Sequence, residues 1–73
     1  MKAEEIGELE ILVNKLKFNA GQKASDLHDL IEDRLLSDFE EIPAYADIAY
    51  AACKAWNIKN LELMAAKQQS VKF

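Results

Sequence analysis

Residues 6–30 of the 73-residue chain read IGELEILVNKLKFNAGQKASDLHDL, and this stretch decides the fold. Its apolar residues recur at alternating steps of three and four, which places them along one side of an α-helix. The pattern is interrupted at Lys23, in a weak patch that contains Gly21. Glycine costs roughly 1 kcal/mol of helix propensity relative to alanine, so we expect a continuous helix that can bend there. The stripe consists of Ile6, Leu9, Val13, Leu16, Ala20, Leu27 and Leu30.

A turn and a second helix are predicted after Leu36, where the apolar pattern breaks. The segment from Ser37 to Glu40 has the form of a capping box, in which Ser37 would accept a hydrogen bond from a backbone amide. Pro43 suits the first turn of a helix, where its missing N–H has no helical partner. The sequence therefore predicts helix 1 over 3–36, a turn over 37–42 and helix 2 over 43–68. The expected packing face of helix 2 is rich in alanine and consists of Ala44, Ala46, Ala49, Ala52, Cys53, Trp56, Leu63 and Met64.

Short connections between helices imply antiparallel neighbours, so the expected fold class is all-α, an antiparallel two-helix hairpin forming one domain over 1–73. A helix of about 30 residues is ~45 Å long, and two such rods touch along one seam only. The uncovered apolar surface favours a homodimer with a four-helix arrangement, and the alternative is a monomer docked on a larger protein. The apolar residues that lie off the main seams are Ile11, Phe18, Ile31, Ile48 and Ile58.

Composition restricts the possible functions. The net charge of −4 and the isoelectric point near 4.8 disfavour nucleic-acid binding, which depends on lysine and arginine at the phosphates. Cys53 is the single cysteine, so no internal disulfide can form, and we expect a cytoplasmic protein. No apolar run approaches the roughly 20 residues that cross a bilayer. The sequence offers no phosphate loop and no nucleophile–base arrangement, so we do not expect an enzyme.

One segment, residues 26–33, places the single histidine among four carboxylates. His28 and Glu32 are four residues apart and share a helix face. An imidazole with a nearby carboxylate is a minimal ligand pair for a divalent transition metal, and a two-fold dimer would double the ligands. The alternative is a solvated acidic face on which His28 pairs with Glu32.

Several other residues are candidates for binding a protein partner. Asp29, Glu32 and Asp33 lie in the last turns of the predicted helix 1, where the helix dipole disfavours negative charge, and charge placed against stability often serves a partner. Tryptophan and tyrosine are frequent interface anchors, although Trp56 also fits the core stripe. We expect Cys53 to be a buried, inert thiol. The predicted partner-binding residues are Asp26, Asp29, Asp33, Tyr45 and Trp56.

A resemblance to a known family rests on three segments: residues 23–32 (KASDLHDLIE), 39–42 (FEEI) and 46–50 (ADIAY). Together they resemble the Rop-like family of small nitrogen-fixation-associated proteins, over residues 12–64. The resemblance implies a helical hairpin with an accessory role in nitrogen fixation and His28 as a divalent-metal ligand at a dimer contact. The chain departs from the family near the turn, where it reads DRLLS over residues 33–37 and delays its proline to Pro43.

The leading hypothesis is therefore an accessory binding protein that associates with nitrogenase or its cofactor-assembly machinery. The second is a metal-binding or metal-carrying dimer that uses His28. A third, RNA binding like that of the plasmid regulator behind the family name, rests on fold analogy alone, and the acidity of the chain makes it the weakest.

Overall fold

The computed structural model describes the backbone of residues 2–71 and the side chains of residues 2–68. Helix α1 spans Ala3–Asp38, a 3₁₀ turn spans Phe39–Glu41, and helix α2 spans Ile42–Val71. The two helices pack against each other along a rod that measures 57 × 15 × 13 Å. The prediction of an all-α, two-helix hairpin is confirmed.

The ends of the helices follow from local chemistry. Glu4 and Glu5 lie in the first turn of α1, where the helix dipole favours negative charge. The Ile6 amide donates to the Lys2 carbonyl at 3.0 Å, which begins the helical hydrogen-bond ladder without a side-chain cap. Pro43 lies in the first turn of α2, the position at which its missing N–H costs no hydrogen bond.

The seam between the helices has heptad-like spacing on both sides. On α1, every residue of the predicted stripe is buried or half-buried, and Lys23 fills the missing position with a half-buried side chain. A lysine tolerates such a position because its methylene stem can cover apolar surface while the ammonium group reaches water. The stripe predicted for α1 is thus confirmed, and α1 is continuous through Gly21.

The packing face predicted for α2 is wrong in part. Ala44, Cys53 and Met64 are exposed, because a residue next to a seam position is rotated by roughly 100° around the helix axis. The face of α2 that packs against α1 begins at Ile42 and continues at alternating steps of three and four residues. Its buried or half-buried members are Ile42, Tyr45, Ala49, Ala52, Trp56, Lys59, Leu63 and Ala66.

The turn is tighter than predicted, and Ser37 does not cap α2. Helical structure continues to Asp38, with non-helical dihedral angles at Arg34 (φ −133°, ψ 24°) inside α1. The Ser37 hydroxyl donates to the Arg34 carbonyl at 3.3 Å, so it serves the end of α1. Serine commonly makes such bonds to a carbonyl three or four residues earlier. Helix α2 continues to Val71, beyond the predicted end at 68.

The core of the hairpin is thin. Among the residues with described side chains, only six apolar residues are buried, three of them alanines, and Leu30 is the one large side chain with no exposed surface. Two helices in contact along one line cannot enclose more, which leaves their outer faces in water.

Candidate partner-binding surfaces

The His28 pair lies on the outer surface of α1. Leu27 and Leu30 occupy seam positions. His28 follows Leu27 directly and points outward, with 71% of its side chain exposed. Its Nε2 lies 3.2 Å from Oε2 of Glu32, and its Nδ1 lies 3.9 Å from Oδ1 of Asp29. The structure thus brings the predicted pair together and adds Asp29 as a second neighbour.

These groups do not make a complete metal site within one chain. Zinc in proteins takes four ligands, or three with an open position. No group of three or more histidine, cysteine or carboxylate residues within the described part of the chain is arranged to hold a metal ion. His28 and Glu32 offer two donors, so the metal ligands predicted from the sequence would need at least one more ligand from another molecule.

The predicted partner-binding residues fall into two separate groups. Asp26, Asp29 and Asp33 are all exposed on α1. Tyr45 and Trp56 are half-buried at seam positions of α2, so both are committed to packing inside the hairpin. The structure therefore does not join the aromatic residues and the aspartates in one open surface.

The observed helix boundaries change how strongly the helix dipole opposes the acidic cluster, by which we mean Asp29, Glu32 and Asp33. Helix α1 extends to Asp38, but its regular geometry is interrupted at Arg34. Glu32 and Asp33 therefore end the regular part of the helix, and Asp29 lies a full turn earlier. Since the dipole effect falls off within the last turn, it opposes Glu32 and Asp33 more than Asp29.

Arg34 organises the hairpin tip, a role that the sequence analysis missed. Its guanidinium Nη1 donates to Oδ2 of Asp38 at 3.2 Å. A side-chain hydrogen bond with Tyr45 is the main cause that raises the pKa of Arg34, and the charges of Asp38 and Glu41 raise it further. Arg34 is four residues after Leu30, where the stripe would continue with an apolar residue. An arginine at that position was the feature of the sequence that could have indicated its role.

A second feature that the sequence analysis missed is a patch of apolar side chains at the turn, which we call the tip patch: Leu35, Leu36 and Phe39. Their exposed fractions are 42%, 88% and 56%. Leu36 is the most exposed large apolar residue among those with described side chains. The break in the stripe after Leu30 was the signal, because apolar residues that follow it no longer share the seam.

Many other large apolar side chains are exposed along the rod. The off-seam residues predicted from the sequence are all confirmed as exposed, with Phe18 at 70%. A shallow open groove of about 430 Å³ lies beside Phe18 and includes Gly21. A Cβ atom added at Gly21 would have no other atom within 4 Å. The remaining exposed large apolar residues in the part of the chain with described side chains are Leu12, Tyr50, Leu61 and Met64.

Charge is distributed unevenly between the tip and the rest of the chain. Residues 29–47, the acidic tip, contain seven carboxylates and one arginine, a net charge of −6. Because the whole chain carries −4, the remaining residues carry +2. Within residues 2–71, neither helix is long and apolar enough to cross a membrane.

Comparison with known proteins identifies the family. No significant match is found among curated proteins or among solved structures. The model of the Rop-like family matches residues 4–68, which includes both helices and the turn. The hairpin architecture agrees with the fold that the sequence resemblance implied, and the chain belongs to the Rop-like family.

Proposed function

We propose that this protein is a non-catalytic accessory binding protein in nitrogen fixation, which associates with nitrogenase or its cofactor-assembly machinery and is a homodimer when free. The single observation that carries the binding role is the amount of exposed apolar surface on so small a chain. Within residues 2–68, twelve large apolar side chains are between 38% and 88% exposed. Contiguous apolar surface on a soluble protein commonly marks an interaction site.

The nitrogen-fixation context is supported by the three segments that resemble nitrogen-fixation-associated members of the family. The most specific element is the DLHDL core at residues 26–30 of the first segment, which contains the exposed His28 and its neighbour Asp29. A protein partner agrees with the strongly acidic tip, because complementary charge accelerates and orients protein association.

The homodimer is supported by the thin core. Three of the six buried apolar residues are alanines, and chains of this size usually need a disulfide, a metal or a partner subunit for stability. The stripe from Ile6 to Leu16 already packs in the seam between the two helices, but most of its side chains are only half-buried. A second copy would cover the part of those side chains that is still exposed, together with off-seam residues such as Ile48 and Ile58. Sedimentation tests this proposal: a cooperatively folded monomer at tens of micromolar would contradict it.

Co-purification from nitrogen-fixing cells, followed by mass spectrometry, tests the partner. We expect a tagged wild-type chain to retain a nitrogenase component or an assembly protein. The triple variant Asp29→Asn, Glu32→Gln and Asp33→Asn should lose that partner while its stability rises by a few tenths of a kcal/mol, because Glu32 and Asp33 oppose the helix dipole.

The matched control neutralises three carboxylates at the other end of α1, in the variant Glu4→Gln, Glu5→Gln and Glu8→Gln. It should keep the partner. Equal loss of binding in both triple variants would show that total charge, and not the acidic tip, governs association. If the variant of Asp29, Glu32 and Asp33 still binds the partner, these three carboxylates are not part of the interface.

A second candidate function is weak divalent-metal binding by a dimer. The observation that favours it is the 3.2 Å separation between Nε2 of His28 and Oε2 of Glu32 on an exposed face. Titration of untagged protein with Ni²⁺ or Zn²⁺, followed by backbone NMR, should perturb residues around 24–36 and little else. The His28→Ala variant should abolish the response, and shifts scattered along the chain would contradict a site at His28.

A further inference from the structure

The tip patch combines high exposure with a rigid setting. Leu36 and Phe39 are 88% and 56% exposed, although they lie within and directly after helical structure. They face outward because the seam positions beyond Leu30 fall on Arg34 and Ser37, which are polar.

Polar bonds hold the tip patch in this arrangement. Arg34 donates to Asp38 at 3.2 Å, and Ser37 donates to the Arg34 carbonyl at 3.3 Å. These bonds order the last turn of α1, and Tyr45 near the beginning of α2 lies close enough to raise the pKa of Arg34. A binding surface that is already ordered loses less conformational entropy when a partner docks.

The charges around the tip patch select the chemistry of that partner. The acidic tip carries a net charge of −6, and its one arginine is already paired with Asp38. An apolar anchor surrounded by carboxylates fits a surface that offers an apolar pocket with a lysine or arginine rim.

We propose that the tip patch, Leu35, Leu36 and Phe39, is a docking site for a protein partner with an apolar pocket bordered by lysine and arginine side chains. This inference rests on the proposed binding role and adds where the partner docks and what it offers. A second copy of the chain is a poor occupant of this site, because a tip-to-tip contact would bring two acidic tips of net charge −6 together and the rest of the chain carries only +2.

The molecule contains its own control surface. Ile11 and Phe18 are 59% and 70% exposed on the outer side of α1, so their apolar exposure is comparable to that of Leu36 and Phe39. Lys15 lies one helical turn after Ile11, and Lys17 is next to Phe18 and lines the groove beside it. Glu10, which is next to Ile11, is paired with Lys67. A basic partner should therefore distinguish the two apolar surfaces by charge.

The test uses an amphipathic synthetic peptide with leucine on one helix face and lysine on the other, titrated into isotopically labelled protein. We expect backbone NMR shifts at residues 33–42 and binding that weakens between about 50 and 500 mM NaCl. The double variant Leu36→Ser and Phe39→Ser should bind at least about tenfold more weakly. The control Ile11→Ser and Phe18→Ser should stay within about twofold of wild type.

Equal shifts at residues 11–18, or unchanged affinity of the tip variant, would overturn the proposal. So would loss of the homodimer in the tip variant, since the patch would then serve self-association. The same variants are measured against purified nitrogenase components. If wild type binds the peptide at the tip but no nitrogenase component, the nitrogen-fixation role fails and the docking site stands. If it binds a component and both double variants bind equally well, the docking site fails alone.

Discussion

Replacing Leu30 with alanine should be the most damaging single truncation in the hairpin. Leu30 has no exposed surface, and the other buried apolar residues among the described side chains are alanines, a valine and a single further leucine, Leu63. Truncation of a buried leucine to alanine costs about 2–5 kcal/mol, and the cost rises with the cavity that remains. We expect about 3 kcal/mol for Leu30→Ala, because its neighbours in a two-helix seam can partly relax.

The matched control is Leu36→Ala, which makes the same chemical change in the same helix at a side chain that is 88% exposed. Surface substitutions usually change stability by no more than about 0.5 kcal/mol. Chemical denaturation gives both free energies of unfolding. Thermal scans should show a Tm for Leu30→Ala that is lower by roughly 12–24 °C, at about 4–8 °C per kcal/mol for a domain of this size.

Comparable losses in the two variants would refute this reasoning. They would mean that Leu36 is buried in the folded state, for example by a second chain, and that the isolated hairpin is not the folded unit. A Leu30→Ala variant as stable as wild type would instead show that the seam does not pack as described. Measurements at several protein concentrations separate these explanations, because only a dimer has a concentration-dependent Tm.

Three further predictions concern polar groups. Tyr45→Phe should destabilise the hairpin equally across about pH 5–9. Because the pKa of Arg34 is raised in the fold, its stabilising contribution is complete below the unfolded-state pKa and is lost only as pH rises through the folded-state pKa. Chemical denaturation at several pH values checks this, and a loss confined to part of that range would contradict it. The Cys53 thiol is exposed, so a thiol reagent should modify it in folded protein nearly as fast as in unfolded protein; strong protection would mean that another chain covers it. The ion pair between Lys67 and Glu10 at 3.3 Å joins the helices at the surface, and a double-mutant cycle should give at most about 1 kcal/mol, whereas a larger coupling would show that the pair is shielded from water.

The candidate sites could be predicted from the sequence only where they depend on local spacing. His28 and Glu32 are one helical turn apart, so their proximity followed from the helix itself. The tip patch could not be recognised in this way, because Leu35 and Leu36 are ordinary members of a helical segment until the direction of the seam is known. Trp56 shows the opposite case, since an aromatic residue suited to binding is half-buried in the seam.

The chain's own residue pattern was enough to specify two long helices, the apolar stripe from Ile6 to Leu30 and the hairpin connection. Helical periodicity and propensity act over a few residues, so they can be seen without knowledge of the partner helix. The face of α2 that packs, the role of Ser37, the exposure of Cys53 and the outward direction of Leu36 depended on the tertiary structure. Each of them is set by how α2 is rotated against α1 after the break at Arg34, and that rotation results from packing between residues far apart in the chain.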